Sequence, residues 1–175
     1  LLYLLKTHKD AGSVIIKDHG DNENTCRYYK SIGIIMNSNC DNFKFEIVWI
    51  NQKIHMLDSL FNEKFIKLTK KNRFIIIPLG IELKEGSHAN YLIYDKKSNE
   101  IERFEPHGST TPPGLHYNPN LLDGVLETKF KFIIPDIKYI KPKLYLPKIG
   151  FQFIDAYEHK MKKIGDPTGF CALWA

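Results

Sequence analysis

Cysteine is scarce in this sequence, and its scarcity excludes two common ways of stabilising a domain. Only Cys26, Cys40 and Cys171 occur among the 175 residues. An odd number of cysteines is a poor framework for disulfides, and no Cys-X-X-Cys pair or Cys/His spacing typical of a zinc site is present. We therefore expect free thiols in a reducing compartment, and neither a metal ion nor another cofactor.

Long apolar runs, internal repeats and dividing linkers are also missing. No stretch of about 18 apolar residues predicts a membrane-spanning helix, and the apolar residues 1–5 are too few for the core of a signal peptide. A chain of 175 residues is long enough for one domain with a hydrophobic core. We therefore expect a single domain over residues 1–175 and no membrane partner.

The excess of positive charge is modest, with a net charge of +5 and an isoelectric point near 9.0. It permits an acidic partner without requiring one. Two lysine clusters, at positions 138, 141, 143 and 148 and at positions 160, 162 and 163, are typical of solvated faces. No nucleic-acid-binding motif surrounds these lysines, so the charge pattern favours no nucleic-acid partner.

The hydrophobic periodicity predicts an α+β fold with an antiparallel or mixed sheet at its centre. The apolar run at residues 73–79 is typical of a strand covered on both faces. Residues 89–94 and 101–104 flank a polar connector of hairpin length, and other strands are predicted at 13–17, 32–36, 43–49 and 132–139. Helical spacing predicts helices over 54–68, 121–130 and 153–163, whereas residues 1–45 show little readable pattern.

Cys171 has the most distinctive surroundings of any residue in the chain. It follows the turn-forming residues Asp166-Pro167-Thr168-Gly169 and lies in an apolar run, which predicts a cysteine in the first turn of a buried helix. There the helix dipole and the unpaired backbone N–H groups would stabilise a thiolate. We expect this helix to continue beyond Ala175.

A base and an acid precede this cysteine, in the order His88, Glu105, Cys171. A general base, an orienting carboxylate and a thiol are the groups that nucleophilic catalysis by a cysteine uses. A hairpin turn centred between residues 97 and 98 would place Glu105 opposite Asn90, within diagonal reach of His88. The pattern predicts a cysteine hydrolase.

Two alternatives stay open within this hairpin. Asp95 is a rival acid, although it lies at the turn and several strand residues away from His88. His107 is a rival base, because the same register places it opposite His88. One of the two histidines is therefore expected to be spare.

Three segments resemble the ubiquitin-like-protein proteases, the superfamily of the SUMO proteases and the adenovirus protease. They are His88-Ala89-Asn90-Tyr91-Leu92-Ile93-Tyr94-Asp95, Ile101-Glu102-Arg103-Phe104-Glu105-Pro106-His107-Gly108 and Pro147-Lys148-Ile149-Gly150-Phe151-Gln152. The interval of seventeen residues from His88 to Glu105 is also similar. The sequence around Cys171 looks most like a branch associated with large DNA viruses. The resemblance covers about residues 73–174.

This resemblance implies a papain-like or adenovirus-protease-like cysteine peptidase fold, with the nucleophile at a helix N-terminus. It implies a triad of Cys171, His88 and Glu105, with Gln152 in the oxyanion hole, that cleaves after Gly at the C-terminus of ubiquitin or a ubiquitin-like protein. The acid of that family is commonly Asp or Asn. Gln152 also precedes Cys171 by nineteen residues (171 − 152), an interval that the family keeps short. The predicted helix at 153–163 accounts for this excess.

Three further functions remain as alternatives. They are a viral polyprotein-processing peptidase that acts at Gly-x sites, an effector-type acyltransferase with the same triad, and a catalytically inert binding module. The partner is accordingly expected to be ubiquitin, a ubiquitin-like protein or a viral polyprotein. The resemblance implies a location in the cytoplasm or nucleus of a host cell, or in the virion, and no secretion.

Overall fold

A mixed sheet of seven strands forms the framework of the computed structural model. The structure describes residues 1–14, 27, 30–33, 45–56, 58–146 and 148–152. All three cysteines, the predicted helix at 153–163 and most of the predicted strand at 32–36 lie outside these residues. Among the described residues, no helix is both long enough and apolar enough to span a membrane.

The order of the strands in the sheet differs from their order in the chain. The strands are β1 (Ala11–Ser13), β2 (Ile47–Ile50), β3 (Lys53–Met56), β4 (Phe74–Leu83), β5 (Gly86–Asp95), β6 (Glu100–Phe104) and β7 (Lys138–Ile140). The sheet runs β3-β2-β4-β5-β6-β7, and β1 pairs with β4 beside β2. The pairs β1–β4, β2–β4 and β6–β7 are parallel, and the other three pairs are antiparallel.

β4 and β5 form the centre of the sheet. β4 has neighbours on both edges, and its side chains Ile75, Ile77, Leu79 and Ile81 are completely buried. The prediction of a strand at residues 73–79 is confirmed, since β4 begins at Phe74 and extends to Leu83. Its coverage on both faces is confirmed only in part, because Phe74 and Ile76 on the second face are half-buried and that face is buried only from Pro78 onward.

The helices are α1 (Leu2–Thr7), α2 (Phe61–Lys71) and α3 (Pro119–Ile133), and a 3₁₀ turn follows at Pro142–Leu144. The side chain of Asn118 caps α3 by accepting hydrogen bonds from the backbone N–H groups of Asn120 and Leu121. A capping residue followed by proline is a strong helix start. The helix predicted over 121–130 is therefore present and extends further at both ends.

The prediction of one helix over residues 54–68 is wrong in its first part. Asn51 and Gln52 adopt φ angles of 50° and 60°, which lie in the left-handed region. Two such residues make a tight turn that folds β3 back onto β2. The helix begins only at Phe61, where the carboxylate of Asp58 accepts a hydrogen bond from the backbone N–H of Leu60.

The strand predicted over residues 132–139 is also largely wrong. Helix α3 continues to Ile133, and β7 begins at Lys138. Ile134 has an extended conformation because the proline at position 135 disfavours helical geometry in the residue before it. The apolar residues at 132–134 therefore end a helix instead of opening a strand.

Helices α2 and α3 cover one face of the sheet. Phe65 of α2 contacts Tyr94 of β5 and Phe130 of α3, with ring centroids 5.5 Å apart in both pairs. Phe61 also contacts Phe130, with centroids 6.3 Å apart. On this face, the register of β4 and β5 pairs Ile77 with Leu92. The next two pairs on the same face are Leu79 with Asn90 and Ile81 with His88. Polar side chains of β5 thus lie on the same face as the apolar core.

Candidate functional site

The β5–β6 hairpin brings His88 and Glu105 into contact. Its register pairs Tyr91 with Phe104, and the next step in that register places Glu105 opposite Asn90. Nε2 of His88 lies 2.6 Å from Oε1 of Glu105, and each side chain is only 2% exposed. The contact predicted from the hairpin is therefore present.

Glu105 is held by several donors besides His88. The side-chain amide of Asn90 and the hydroxyl of Tyr117 each donate to Oε2 at 3.0 Å. The backbone N–H of His107 donates to Oε1 at 3.0 Å. Burial opposes ionisation, but the hydrogen bond and charge of His88 help to outweigh it, so the pKa of Glu105 lies below its ordinary value.

Arg103 connects this carboxylate to helix α3. Its Nε and Nη2 donate to the two carboxylate oxygens of Asp123 at 2.8 and 3.2 Å. Its Nη1 donates to Oδ1 of Asn90 at 2.7 Å and lies 3.4 Å from Oε2 of Glu105. Burial lowers the pKa of Arg103, but the bonds to Asp123 outweigh that effect and raise it. The hydroxyl of Tyr139 donates to Asp123 at 2.9 Å.

These groups form one buried polar network, which consists of His88, Asn90, Arg103, Glu105, Tyr117, Asp123 and Tyr139. It joins two adjacent strands to α3, to β7 and to the loop before α3. Because its charged groups are paired and bonded in several directions, the network resists the rotation of any one side chain. It therefore holds the end of the hairpin rigidly against the helix.

In the structure, the two rival residues of the hairpin, Asp95 and His107, have different surroundings. Asp95 accepts hydrogen bonds from Nε and Nη2 of Arg73 at 3.2 and 3.0 Å, at the far end of β5. His107 is buried, which lowers the pKa of its imidazole, and its backbone N–H is the group that donates to Glu105. Among the described contacts, the imidazole of His88 lies within hydrogen-bond distance of this carboxylate.

Gln152 lies beside the chain that follows the hairpin. Its backbone N–H donates to the carbonyl of Pro106 at 3.0 Å, and the N–H of Gly150 donates to the carbonyl of His107 at 2.8 Å. The two chains approach so closely that a Cβ on Gly150 would lie 2.5 Å from the backbone N of Gly108. The glycines therefore allow the pairing that places Gln152 there.

The four predicted site residues are thus only partly assembled by the described structure. His88 and Glu105 touch, and Gln152 packs next to the residue after Glu105. Cys171 lies outside the described residues, so its convergence with the other three stays a prediction. No group of three His, Cys, Asp or Glu side chains that could hold a metal ion occurs in the part of the chain that the structure describes.

Asn90, Arg103 and Asp123 are not among the predicted site residues, although they hold Glu105 and its partners. The alternation of strand residues is the signal that could reveal two of them. It places Asn90 and Arg103 on the face shared by His88 and Glu105. Asp123 gives no such signal, because a carboxylate in a helix is usually solvated.

A cleft of about 750 Å³ lies at the end of the sheet where β2 turns into β3 and β4 turns into β5. Its lining combines apolar and polar side chains, among them Trp49, Glu82, Ser87, His116 and Tyr117. Tyr117 also donates its hydroxyl to Glu105 of the buried polar network. One wall of the cleft is therefore fixed by that network.

Acid is expected to destabilise the fold through Glu105. Because the folded-state pKa of Glu105 lies below its ordinary 4.5, the ionised carboxylate contributes stability above that pH. This contribution disappears as the pH falls through the lower folded-state pKa. Urea unfolding at about pH 7 and about pH 3 measures the loss, which we expect to be smaller for Glu105→Gln than for the unmodified chain.

Glu100→Gln is the matched control for this titration. Glu100 lies at the other end of β6, outside the buried polar network. We expect the control variant to lose as much stability in acid as the unmodified chain does. An equal loss in all three proteins would show that the titration of Glu105 contributes nothing.

The comparisons with known proteins identify a viral relative of this chain. The chain is 46% identical over 181 residues to an ankyrin repeat protein of Acanthamoeba polyphaga mimivirus. The alignment includes 98% of this chain but only 24% of that protein, so the chain spans about a quarter of the length of the relative. No family model matches the chain, and no solved structure matches it.

This relative overturns the prediction that the chain is a ubiquitin-like-protein protease. The relative is described as an ankyrin repeat protein and not as a peptidase. The predictions of superfamily membership, of a cysteine peptidase function and of a hydrolase are therefore wrong. A viral source agrees with the relative, whereas the protease descriptions do not.

The resemblance has a physical explanation that requires no common activity. Two residues that face each other diagonally across a hairpin are separated by an interval fixed by the strand and turn lengths. A buried pair of His88 and Glu105 therefore gives the same spacing whether it serves chemistry or stability. Apolar and aromatic residues around such a pair are common in strands.

Proposed function

We propose that this chain is a protein-binding module without catalytic activity, and that it captures an extended segment of a partner protein in the cleft. The observation that carries the proposal is the cleft itself, which is formed by two hairpin turns at one end of the sheet. Its volume of about 750 Å³ lies within the range of pockets that bury a ligand. A segment of a few residues fits such a space.

The name of the relative supports a binding role over an enzymatic one. Repeat proteins of the ankyrin type stack their units into extended surfaces that bind other molecules. The described residues of this chain form a mixed sheet, whereas ankyrin repeats are stacked helix pairs with a period of about 33 residues. We therefore propose that the chain corresponds to a separate sheet domain of such a protein, which contributes a binding surface of its own.

The construction of the cleft also favours binding. Tyr117 is tied to Glu105, so the wall it forms is preorganised and loses little entropy when a partner binds. The side chains of Asn51 and Gln52 are exposed at the rim and can bond to the backbone of an extended segment. Trp49 supplies apolar surface beside these polar groups.

The test is the selection of random peptides that bind the purified chain, followed by fluorescence anisotropy with the selected sequences. We expect Thr111→Trp, which places a large ring in the cleft lining, to weaken their binding at least about tenfold. Thr128→Trp is the matched control, because Thr128 is exposed on α3 and is not among the residues that line the cleft. The control should bind as the unmodified chain does.

Two results would contradict the proposal. If Thr111→Trp does not change the affinity of the selected peptides, their binding surface lies outside the cleft. The absence of catalysis is tested separately with ubiquitin and SUMO that carry a C-terminal electrophile. Covalent capture that disappears in Cys171→Ala would show that the chain performs chemistry.

A further inference from the structure

Glu82 lines the cleft, and the hydrogen bonding of its carboxylate is incomplete among the described residues. The residue is 6% exposed, and its Oε2 accepts a hydrogen bond from the hydroxyl of Ser87 at 2.5 Å. Its Oε1 is buried and has no hydrogen-bond partner in the described part of the chain. The register pairs Glu82 with Ser87 at the end of the β4–β5 hairpin, so two central strands hold this residue in the lining of the cleft.

A buried carboxylate without a cation is unfavourable unless a partner supplies charge and hydrogen bonds. None of the ion pairs between described residues includes Glu82. Burial raises the pKa of Glu82 above its ordinary value, although the hydroxyl of Ser87 opposes this effect. The position therefore favours a ligand that brings a positive charge.

The charge of the surroundings also favours a cationic ligand. Among the described residues that line the cleft are two carboxylates, Glu82 and Glu85, one lysine, Lys84, and one histidine, His116. The chain as a whole carries a net charge of +5, so the cleft is a locally acidic region on a basic protein. Complementary charge of this kind guides a basic partner to the site and rejects an acidic one.

A metal ion is a poorer occupant than a side chain. No group of three potential metal ligands among His, Cys, Asp and Glu surrounds Glu82 within the described residues. The ammonium of Lys and the guanidinium of Arg carry several donors, so either can bond to a carboxylate and to a neighbouring acceptor at the same time. Ser87 is exposed, and a rotation of its side chain away from Glu82 would open the second oxygen to the cleft.

We propose that Glu82 receives a Lys or Arg side chain of the extended protein segment that binds in the cleft. This inference rests on the proposed function and adds the chemistry by which the partner is recognised. The partner is then a protein with an exposed basic residue in an extended region. Its basic side chain neutralises a carboxylate that has no cation partner among the described residues of the free chain.

The experiment uses labelled, capped nonapeptide pools in which one position is Lys, Arg, norleucine or Glu and the others are mixed. We expect the Lys and Arg pools to bind the unmodified chain about 30-fold more tightly than the norleucine pool, as for a buried charge pair. Glu82→Gln should remove this difference. Glu85→Gln is the matched control, because it makes the same charge change at an exposed position of the lining.

Thermal unfolding of the free Glu82→Gln variant checks that it folds. We expect an unchanged or higher Tm, because the variant removes a buried charge. Equal binding of the basic and norleucine pools by the unmodified chain, or a preference that survives Glu82→Gln, would overturn the inference and leave the protein-binding proposal standing. The failure of every pool to bind would overturn both.

Discussion

Arg103→Met is expected to lower the free energy of unfolding by about 3–5 kcal/mol, the cost typical of breaking a buried ion pair. Arg103 is 2% exposed and faces two carboxylates, Glu105 and Asp123. Methionine fills a similar space but leaves both carboxylates without that cation. Urea unfolding followed by circular dichroism at neutral pH measures the loss.

Arg73→Met is the matched control for this substitution. Arg73 makes a similar two-point contact with Asp95, but on the surface. Solvent screens the charges of such a pair, so we expect little change in stability. If the two variants lose the same stability, the buried polar network does not hold the hairpin against α3.

A double variant distinguishes the loss of the ion pair from the cost of leaving one buried charge without its partner. When Asp123→Leu is combined with Arg103→Met, one carboxylate disappears together with the guanidinium. We expect the double variant to lose less stability than the sum of the two single losses, because each single change leaves a charge uncompensated. Additive losses would mean that Arg103 and Asp123 act independently.

The second large effect is expected for Gly108→Ala, which should cost about 3 kcal/mol. Gly108 has a φ of 113°, where side chains are strained, and a Cβ there would lie 2.6 Å from the carbonyl oxygen of Lys148. Because the obstacle is backbone, it cannot rotate away. The paired segment that carries Gln152 would have to move from the chain after the hairpin.

Gly124→Ala controls for the general effect of adding a methyl group. Gly124 lies inside α3, and nothing lies within 4 Å of a Cβ built on it. We expect this variant to gain about 0.5–1 kcal/mol, because alanine favours the helix more than glycine does. Urea unfolding of both variants is the measurement. A Gly108→Ala protein as stable as Gly124→Ala would mean that the two segments do not pack together.

The contact between His88 and Glu105 could be predicted because it depends on local geometry. A connector of hairpin length and two alternating strands determine which residues face each other across a hairpin. The register then follows by counting from the turn. The same counting could have identified Asn90 and Arg103, which lie on the same face as His88 and Glu105.

The errors in the helix predictions have a different cause. Apolar spacing suggested one helix over 54–68, but the left-handed conformations of Asn51 and Gln52 and the pairing with β2 override it at residues 53–56. Helical spacing and short strands are ambiguous when the run of apolar residues is brief. Pairing with a distant strand decides such cases.

The assignment of a function failed for a related reason. Short motifs around His88 and Glu105 describe a hairpin with a buried polar pair, and this arrangement is compatible with several roles. The alignment with an ankyrin repeat protein uses nearly the whole chain and therefore outweighs those motifs. A motif of a few residues records local geometry more reliably than activity.

The amino-acid sequence by itself determined the strand β4, the β5–β6 hairpin with its register and the existence of α3, because all three depend on neighbours in the chain. Only the tertiary structure decided that Asp123 meets Arg103, that Glu82 belongs to the lining of a cleft and that Gln152 lies beside Pro106. These contacts join residues that are far apart in the chain. They depend on how helices and loops pack on the sheet, and no local pattern encodes that packing.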